Sequence, residues 1–519
     1  MIFPNIMDIQ KVWKRLHELM VWRKWFRVTV KNFPNGGILK VLFVLIQDHK
    51  RKILLLPCNF DPKEHVKSFP PLEYGFESEH KFNIDKMNYF LGLISEIPAN
   101  NKDLITENGF IPIHSVTIRD HIKDYLQYVN YLTTTGVILS DNTYIVGEKS
   151  KGYKWSEQFD YSEFIIYNQL DIDVHDNQTH NPNKLANDYV YLYYWYEQRK
   201  LKIDTKLAGE YAGYLKQYKL QNKSYWDKND KGELKNPISQ YHAILNNIGK
   251  LSIFDYNTKI DENIHRLHSV LSNMQKDFRN FLTYDNKTLV SIDIKNSQPY
   301  LACLIMNPEF WKENSNLPLK LNSLPNNILS KLNEFSLSIM IGKFFNGLSG
   351  DEFEEYKQLV SSGKMYETII EEVLNKTGKI ITRKEAKTNM FTILFSSNRG
   401  VPFNSNKYLT DFYSNKFPYV SDLFRIIKTS FKGGGIKQHN RLACLLQSIE
   451  SEIVLHRCCN RIWEERNQTI PVFTIHDSII TTLENQEYVY SIMLEELTNY
   501  IGVCPSLEIE EWNLQKISK

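Results

Sequence analysis

The pattern of apolar positions predicts a chain that mixes helices with strands. Residues 288–293 (TLVSID) form an apolar run that ends on Asp293, and residues 472–480 (VFTIHDSII) form a second run interrupted by a His-Asp pair. The first run is typical of a strand, with a helix following over 299–306, and the second of a β-hairpin with His476 and Asp477 at its turn. Residues 185–280 are predicted to be mostly helical. The fold class that we expect is therefore α+β.

The first 160 residues give weaker signals. Up to about residue 110, short apolar runs are broken by Pro and Gly, and we interpret 1–110 as an N-terminal α+β accessory region. Residues 111–160 then follow the pattern of a helix and a hairpin, with strand-like runs at 137–139 and 144–146. This order resembles a winged helix, so a winged-helix-like module is one interpretation of 111–160.

A basic and aromatic segment at 149–155 forms the tip of that predicted hairpin. In the winged-helix interpretation, Lys149 and Lys151, with Lys154, contact a nucleic-acid backbone, and Tyr153 or Trp155 stacks on a base. An ordinary small α+β module with a solvated hairpin fits the same residues. The sequence leaves both interpretations open.

Composition places few limits on function. The chain has 519 residues, 42% of them hydrophobic and 13% aromatic, which is typical of a globular protein of several domains. Its formal net charge is +3, from 63 basic and 60 acidic side chains, so any surface that attracts nucleic acid must be local. The six cysteines form no CxxC pair, and the longest apolar runs are too short to cross a bilayer. With no secretory signal, we expect reduced thiols, a cytoplasmic protein and no membrane partner.

Asp293 and Asp477 are the candidate metal ligands. Two aspartates that end or join strands suit a pair of divalent cations, because Mg²⁺ takes a few carboxylate oxygens and keeps water and substrate phosphate as its other ligands. Two ions held in this way can activate an attacking oxygen and stabilise a leaving one. An isolated aspartate at a strand end is usually structural, so the pair needs support from elsewhere in the chain.

That support comes from a basic segment between the two aspartates. Arg383, Lys387, Phe391 and Phe395 recur every fourth residue, which predicts one face of a single helix. Cations on its early turns and rings on its later turns suit a nucleotide, with the triphosphate at the cations and the base beside the rings. A basic amphipathic helix with two core phenylalanines fits equally well when the segment is taken alone.

The order of these segments resembles the family A polymerases, the DNA polymerase I-like superfamily that includes the phage-type single-subunit RNA polymerases. VSIDIKNSQPYLACLIM at 290–306 is similar to motif A, RKEAKTNMFTILF at 383–395 to motif B, and FTIHDSII at 473–480 to motif C. HRLHS at 265–269 resembles the motif whose arginine contacts the primer–template backbone, and LLQSIE at 445–450 resembles the helix whose glutamine reaches the minor groove. Five segments in the family's order are much more specific than one.

The resemblance implies a role for each matching residue. Asp293 and Asp477 would hold two Mg²⁺ ions, for which Mn²⁺ is an alternative, and Ile294 would lend a backbone carbonyl to the metal site. Lys387 would neutralise charge near the α-phosphate, and Arg383 would bind the β- and γ-phosphates. Phe391 would flank the sugar and base. The nucleic-acid-binding candidates are Arg266, Gln447, His476, Lys149 and Lys151, with His476 orienting its turn or touching the primer terminus and not acting as a catalytic base.

Two departures from the family bear on the choice of sugar. DNA polymerases of the family carry a Glu five residues after the first aspartate, and its partner is a Tyr at the end of motif B; here these positions are Gln298 and Phe395. Ser478 follows Asp477 as in the RNA polymerases, whereas DNA polymerases commonly have Glu there. Gln298 is bulky enough to obstruct a 2′-hydroxyl, which favours DNA synthesis.

The resemblance also implies a right-hand architecture with palm, fingers and thumb. The boundaries that we expect are 161–260 for a helical thumb-like region, 261–304 for the first part of the palm, 305–435 for the fingers and 436–519 for the second part of the palm. The predicted function is a DNA polymerase without a proofreading exonuclease, which binds primer–template and nucleoside triphosphates; protein partners cannot be predicted. The alternatives are a single-subunit RNA polymerase or primase, and a replication or defence protein that binds nucleic acid through a polymerase scaffold.

Overall fold

A computed structural model describes most of the chain after residue 52. The described residues are 53–145, 150–160, 164–168, 189–229, 232–325, 335–346, 351–396, 415–428 and 440–517. They belong to one compact unit. Lys149, one of the candidate nucleic-acid contacts, lies outside these ranges. Residues 1–52 of the predicted accessory region also lie outside them.

The described residues form a mixed structure of helices and strands. The strands are β1 (Ile53–Pro57), β2 (Ile111–Pro112), β3 (Ile138–Ser140), β4 (Gly152–Trp155), β5 (Phe164–Asn168), β6 (Leu201–Ile203), β7 (Lys259–Ile260), β8 (Leu267–His268), β9 (Leu282–Tyr284), β10 (Lys287–Ile294), β11 (Phe473–Ile475), β12 (Ser478–Thr482) and β13 (Leu507–Trp512). The helices of the first half are α1 (Pro62–Ser68), α2 (Ile84–Asn100), α3 (Ser115–Arg119), α4 (Tyr125–Thr134), α5 (Glu157–Asp160), α6 (Val190–Glu197), α7 (Thr205–Gln221), α8 (Pro237–Ser252) and α9 (Val270–Asn273). Those of the second half are α10 (Ser297–Ile305), α11 (Phe335–Asn346), α12 (Asp351–Ser361), α13 (Met365–Thr377), α14 (Arg383–Phe395), α15 (Pro418–Lys428), α16 (Asn440–Ser451), α17 (Cys459–Glu465) and α18 (Gln486–Ile501), with a π-helical segment at Glu452–Cys458.

The largest sheet is antiparallel and has β10 at its centre. Its order is β11-β12-β10-β9-β6, and β13 pairs with the other edge of β10. Because β10 is covered on both faces, its side chains from Leu289 to Ile292 are all buried instead of alternating. The following helix α10 is also buried along its whole length, which explains its apolar sequence. The predicted strand, the helix after it and the hairpin with a His-Asp turn are confirmed.

A smaller three-stranded sheet has the order β2-β4-β3 and packs beneath α2 and α4. Its central strand is the basic and aromatic segment that the sequence placed at a hairpin tip. Tyr153 and Trp155 are consequently core residues, 3% and 1% exposed, so the prediction that one of them stacks on a base is wrong. Lys151 is exposed. A winged-helix assignment for 111–160 stays a prediction.

Helix α8 joins two hydrophobic cores. Ala243 packs in the core of the N-terminal region, around α2 and α4, whereas Ile244, Ile248 and Leu251 pack in the core of the large sheet. Polar contacts reinforce the contact with α2, including the amide of Asn246 on the Ser95 hydroxyl at 3.3 Å. The region expected as a thumb thus contributes α8 between two cores and β6 to the main sheet.

Within the described ranges, no helix is both long enough and apolar enough to span a membrane.

Candidate functional site

The main sheet brings the two candidate metal ligands together at one end. Asp293 is the penultimate residue of β10 and pairs in register with Ser478, the residue after Asp477. Asp477 itself lies in the two-residue turn between β11 and β12. His476 is the first residue of this turn and has a φ of 54°, a backbone conformation that residues other than glycine rarely adopt. Such conformations often occur at functional sites. The fold therefore uses strand pairing and a strained turn to place both carboxylates side by side.

Electrostatics show that the two carboxylates interact. Burial and, after it, the charge of the neighbouring Asp477 raise the pKa of Asp293 to about 7, against the lowering effect of Lys387. Burial also raises the pKa of Asp477, while the nearby Ser297 side chain and the charges of Arg266 and Lys387 oppose this rise. Two like charges in a partly buried site are unfavourable without a cation. The pair is thus suited to binding positive charge.

Helix α14 carries the predicted basic and aromatic face. Thr382 and Glu385 form a capping box at its start, and the Lys428 ammonium donates to the carbonyls of Ile393 and Ser396 at its end, 2.7 and 3.2 Å away. The adjoining face of the helix packs inward through the fully buried side chains of Ala386, Met390 and Leu394. The helix is therefore fixed at both ends and along one side, and the predicted helix over 383–395 is confirmed.

The outer face of α14 has the order that the sequence predicted. The Lys387 ammonium lies 5.6 Å from the centre of the Phe391 ring, and the rings of Phe391 and Phe395 stack with centroids 5.5 Å apart. Lys387 is exposed, yet its charge lowers the pKa of both Asp293 and Asp477. Lys387 thus lies near the ring stack and near both carboxylates.

Arg383 is on the same face but has a partner of its own. Its Nε donates to the Glu367 carboxylate at 2.9 Å, and its guanidinium lies over the Tyr366 ring, 5.2 Å from the centroid. Tyr366 is buried, and burial raises its pKa to about 12, with Asp477 adding to the rise and Arg383 opposing it. Tyr366 therefore lies between Arg383 and the carboxylates, a position that the sequence did not predict. To bind a phosphate, Arg383 must exchange Glu367 for it.

A buried carboxylate, Glu450, connects two of the predicted site residues. Arg266 donates to one Glu450 oxygen from Nε at 2.7 Å and from its terminal nitrogen at 2.6 Å. The Gln298 side-chain amide donates to the other oxygen at 2.6 Å. Glu450 is 1% exposed, and burial raises its pKa to about 8 although the charge of Arg266 lowers it. The partner of Gln298 is thus Glu450, and not a group at the end of α14.

The sequence contained a signal for Glu450. It lies beside the buried Leu446, Ile449 and Ile453 at helical spacing, and an acid among apolar residues that face a core needs a buried partner. Gln447 is partly buried on α16, one turn before Glu450. Ile294, at the end of β10, pairs with Leu507.

Further charged residues surround the aspartates. Arg279 is close enough to Asp293 to be affected by its charge, and Glu508 pairs in register with Asp293. Burial lowers the pKa of His476 to about 4, with Arg266, His268 and Arg279 adding to the effect, so its ring is neutral near pH 7. No group of three or more His, Cys, Asp or Glu side chains suited to a metal occurs in the part of the chain that is described. The carboxylates near the site therefore do not form an all-protein cage.

Of three comparisons with known proteins, only the one with solved structures found matches. No protein-family model matches the chain, and no curated protein matches it either. Among solved structures, 79 chains match. One of them, the POL domain of Pol1 from M. smegmatis in complex with DNA primer-template and dNTP, is 12% identical and aligns with a TM-score of 0.25, over 64% of this chain and 66% of that one. The matched part is thus slightly less than two thirds of that chain, and at this TM-score we base the functional proposal on the site alone.

Proposed function

We propose that this chain is a nucleotidyltransferase that extends the 3′-hydroxyl of a primer on a nucleic-acid template. The observation that carries the proposal is the position of Lys387, which stacks on Phe391 and also reaches Asp293 and Asp477 electrostatically. A triphosphate needs cations at its phosphates, and a base needs a ring to pack against; both are present beside two carboxylates.

The donor set fits divalent cations. Asp293 and Asp477 offer hard oxygen ligands, and a bound divalent cation would offset their mutual repulsion. Mg²⁺ suits a site with only two carboxylates because it keeps waters and substrate phosphates as its remaining ligands, and Mn²⁺ accepts the same donors. When bound, two such ions activate the attacking 3′-oxygen and stabilise the leaving pyrophosphate oxygen. The carbonyl of Ile294 is a further proposed ligand.

The other residues position the substrates. Lys387 neutralises charge near the α-phosphate, and Arg383 leaves Glu367 to bind the outer phosphates, which requires only the exchange of one exposed ion pair for another. The stacked rings of Phe391 and Phe395 pack beside base and sugar. Arg266 and Gln447 contact the primer–template, with Arg266 held in place by Glu450. The palm, fingers and thumb boundaries given above are part of this proposal.

DNA is the proposed product. Gln298 is buried and its amide donates to Glu450, and in this proposal its bulky, fixed side chain obstructs a ribose 2′-hydroxyl. A single-subunit RNA polymerase or primase is the alternative, because Phe395 and Ser478 do not follow the DNA polymerase pattern. A protein that merely binds nucleic acid is disfavoured, since buried like-charged carboxylates would repel a phosphate backbone.

Primer extension tests the proposal. The purified chain is given a primer on a DNA or RNA template, Mg²⁺, and either four dNTPs or four NTPs. We expect template-dependent extension with dNTPs that is abolished in Asp293→Ala and in Asp477→Ala. Extension with NTPs alone would favour the RNA polymerase alternative. Activity that survives both substitutions would refute the assignment of these aspartates.

A further inference from the structure

An exposed row of tyrosines runs along helix α7 and the turn after it. The rings of Tyr211 and Tyr214 are 6.3 Å apart, those of Tyr214 and Tyr218 are 6.0 Å apart, and those of Tyr218 and Tyr225 are 4.5 Å apart. Successive ring planes are tilted by only 24°, 24° and 12°. We call these four residues the tyrosine row.

Burial does not account for the row. Tyr214, Tyr218 and Tyr225 are 59%, 38% and 44% exposed, whereas the aromatic residues of the neighbouring helix α6 pack against or into the core. Large aromatic side chains exposed together usually mark a binding surface. Nearly parallel rings, in contrast to the edge-to-face contacts that dominate aromatic cores, offer flat faces in series.

The row begins next to the candidate active site. Tyr211 packs on Phe278 and Phe281, at centroid distances of 5.4 and 5.7 Å. These phenylalanines belong to the 3₁₀ turn Lys276–Phe281, which also carries Arg279, the residue affected by the charge of Asp293. Tyr211 therefore connects the row to the turn that carries Arg279.

The charge of this segment suits a polyanion. Residues 199–235 contain ten Lys or Arg against five Asp or Glu, whereas the whole chain is nearly neutral. Lys202, Lys206 and Lys228 have exposed side chains. Four of these cations have acidic partners: Lys200 pairs with Asp285, Lys219 with Asp227, Lys223 with Glu107 and Lys235 with Asp103. The attraction for a polyanion therefore comes from the formal excess of the segment and from the exposed lysines at 202, 206 and 228.

We propose that the tyrosine row binds single-stranded nucleic acid by stacking on its bases, an inference that rests on the proposed function. Stacking on aromatic side chains with lysines tracking the backbone is the general way in which proteins hold single strands without reading sequence. The rings of Tyr211, Tyr214 and Tyr218, with centroids 6.3 and 6.0 Å apart, offer separate faces on which successive bases stack. The tight pair Tyr218–Tyr225 instead provides an end platform on which a base stacks.

Fluorescence anisotropy with a labelled single-stranded oligo(dT) tests the inference on the full chain at fixed ionic strength. Each of Tyr214→Ala and Tyr218→Ala is expected to weaken binding about 5- to 150-fold, the range for loss of one stacked base. Tyr214→Phe keeps the ring and should bind like the parent. Tyr419→Ala is the matched control. The exposed fraction of Tyr419, 40%, is similar to that of Tyr218, but Tyr419 lies on α15 and not in the row. Thermal melting of each variant checks that the fold is intact.

The outcomes separate this inference from the proposed function. Asp293→Ala should abolish primer extension and leave oligo(dT) binding unchanged, so failure of the polymerase proposal appears in a different assay. Parental affinity in both tyrosine-to-alanine variants would overturn the inference. It would also be overturned if the parent failed to bind oligo(dT) and instead formed dimers that Tyr214→Ala dissociates, because the row would then be an interface between copies of this chain.

Discussion

Replacing Asp293 by asparagine should stabilise the metal-free protein while abolishing its activity. Asparagine keeps the shape of the side chain but carries no charge, so it removes the repulsion between Asp293 and Asp477 as well as the cost of burying a carboxylate. The same charge is needed to hold a cation. Stability and function therefore make opposite demands on this position.

The size of the effect follows from the pKa of Asp293, which is 3.8 for the free side chain and about 7 in the folded protein. Because the folded-state pKa is raised, the folded protein binds more protons between these two values, and its stability falls as the pH rises through this window. At about 1.36 kcal/mol for each pH unit, wild type carries a cost of about 2 kcal/mol at pH 5.5 and about 4 kcal/mol at pH 8. The free energy of unfolding of Asp293→Asn should therefore exceed that of wild type by about 2 kcal/mol more at pH 8 than at pH 5.5.

The assay is thermal or urea unfolding of both proteins at the two pH values in a chelating buffer. Mg²⁺ should then narrow the difference at pH 8, because it binds folded wild type and not the variant. Asp285→Asn is the control: Asp285 lies in the turn before β10, and its pKa is lowered by Lys200, so its substitution should show no change across this pH range. An Asp293→Asn variant less stable than wild type at both pH values would contradict the reasoning.

Substitutions at three other residues address the network around the site. Glu450→Ala leaves the buried Arg266 charge without its partner, so it should lower the free energy of unfolding in urea by about 3–5 kcal/mol. Glu450→Gln should lower it by less. Equal losses in the two variants would argue against the ion pair. Lys387→Met should lower the rate of nucleotide addition by about 10²–10³ without changing the melting temperature, since Lys387 is exposed, and an unchanged rate would remove it from the site. Gln298→Ala should lower the ratio of kcat/KM for dNTPs to that for NTPs, and a constant ratio would show that Gln298 does not choose the sugar.

Local patterns in the sequence were sufficient for the elements that carry the site. The strand ending near Asp293, the turn at Asp477 and the helix from Arg383 to Phe395 each follow from a period of apolar or charged positions within one element. The geometry of α14 follows as well, because residues four apart on a helix share a face. Such features depend on neighbours in the chain and are therefore visible without the fold.

Contacts between distant segments were not predictable in this way. The Gln298–Glu450 bond joins residues 152 positions apart, and Glu450 could be recognised only as an acid in need of some partner. Tyr153 and Trp155 were expected to be exposed at a hairpin tip, but they lie in the central strand of a sheet. The same alternating sequence fits both positions. Pairing partners decide between these outcomes, and they lie far away in sequence.

Helix α8 has a consequence for how this chain can be divided. Nearly all of its residues are buried, some against the N-terminal core and others against the core beneath the aspartates. A cut on either side of α8 would strip one core of its covering surface, so removing the N-terminal region should produce an aggregating fragment and not a smaller working enzyme. The N-terminal region is therefore not an independent domain that can be exchanged, because the stability of the region around the aspartates depends on the same helix.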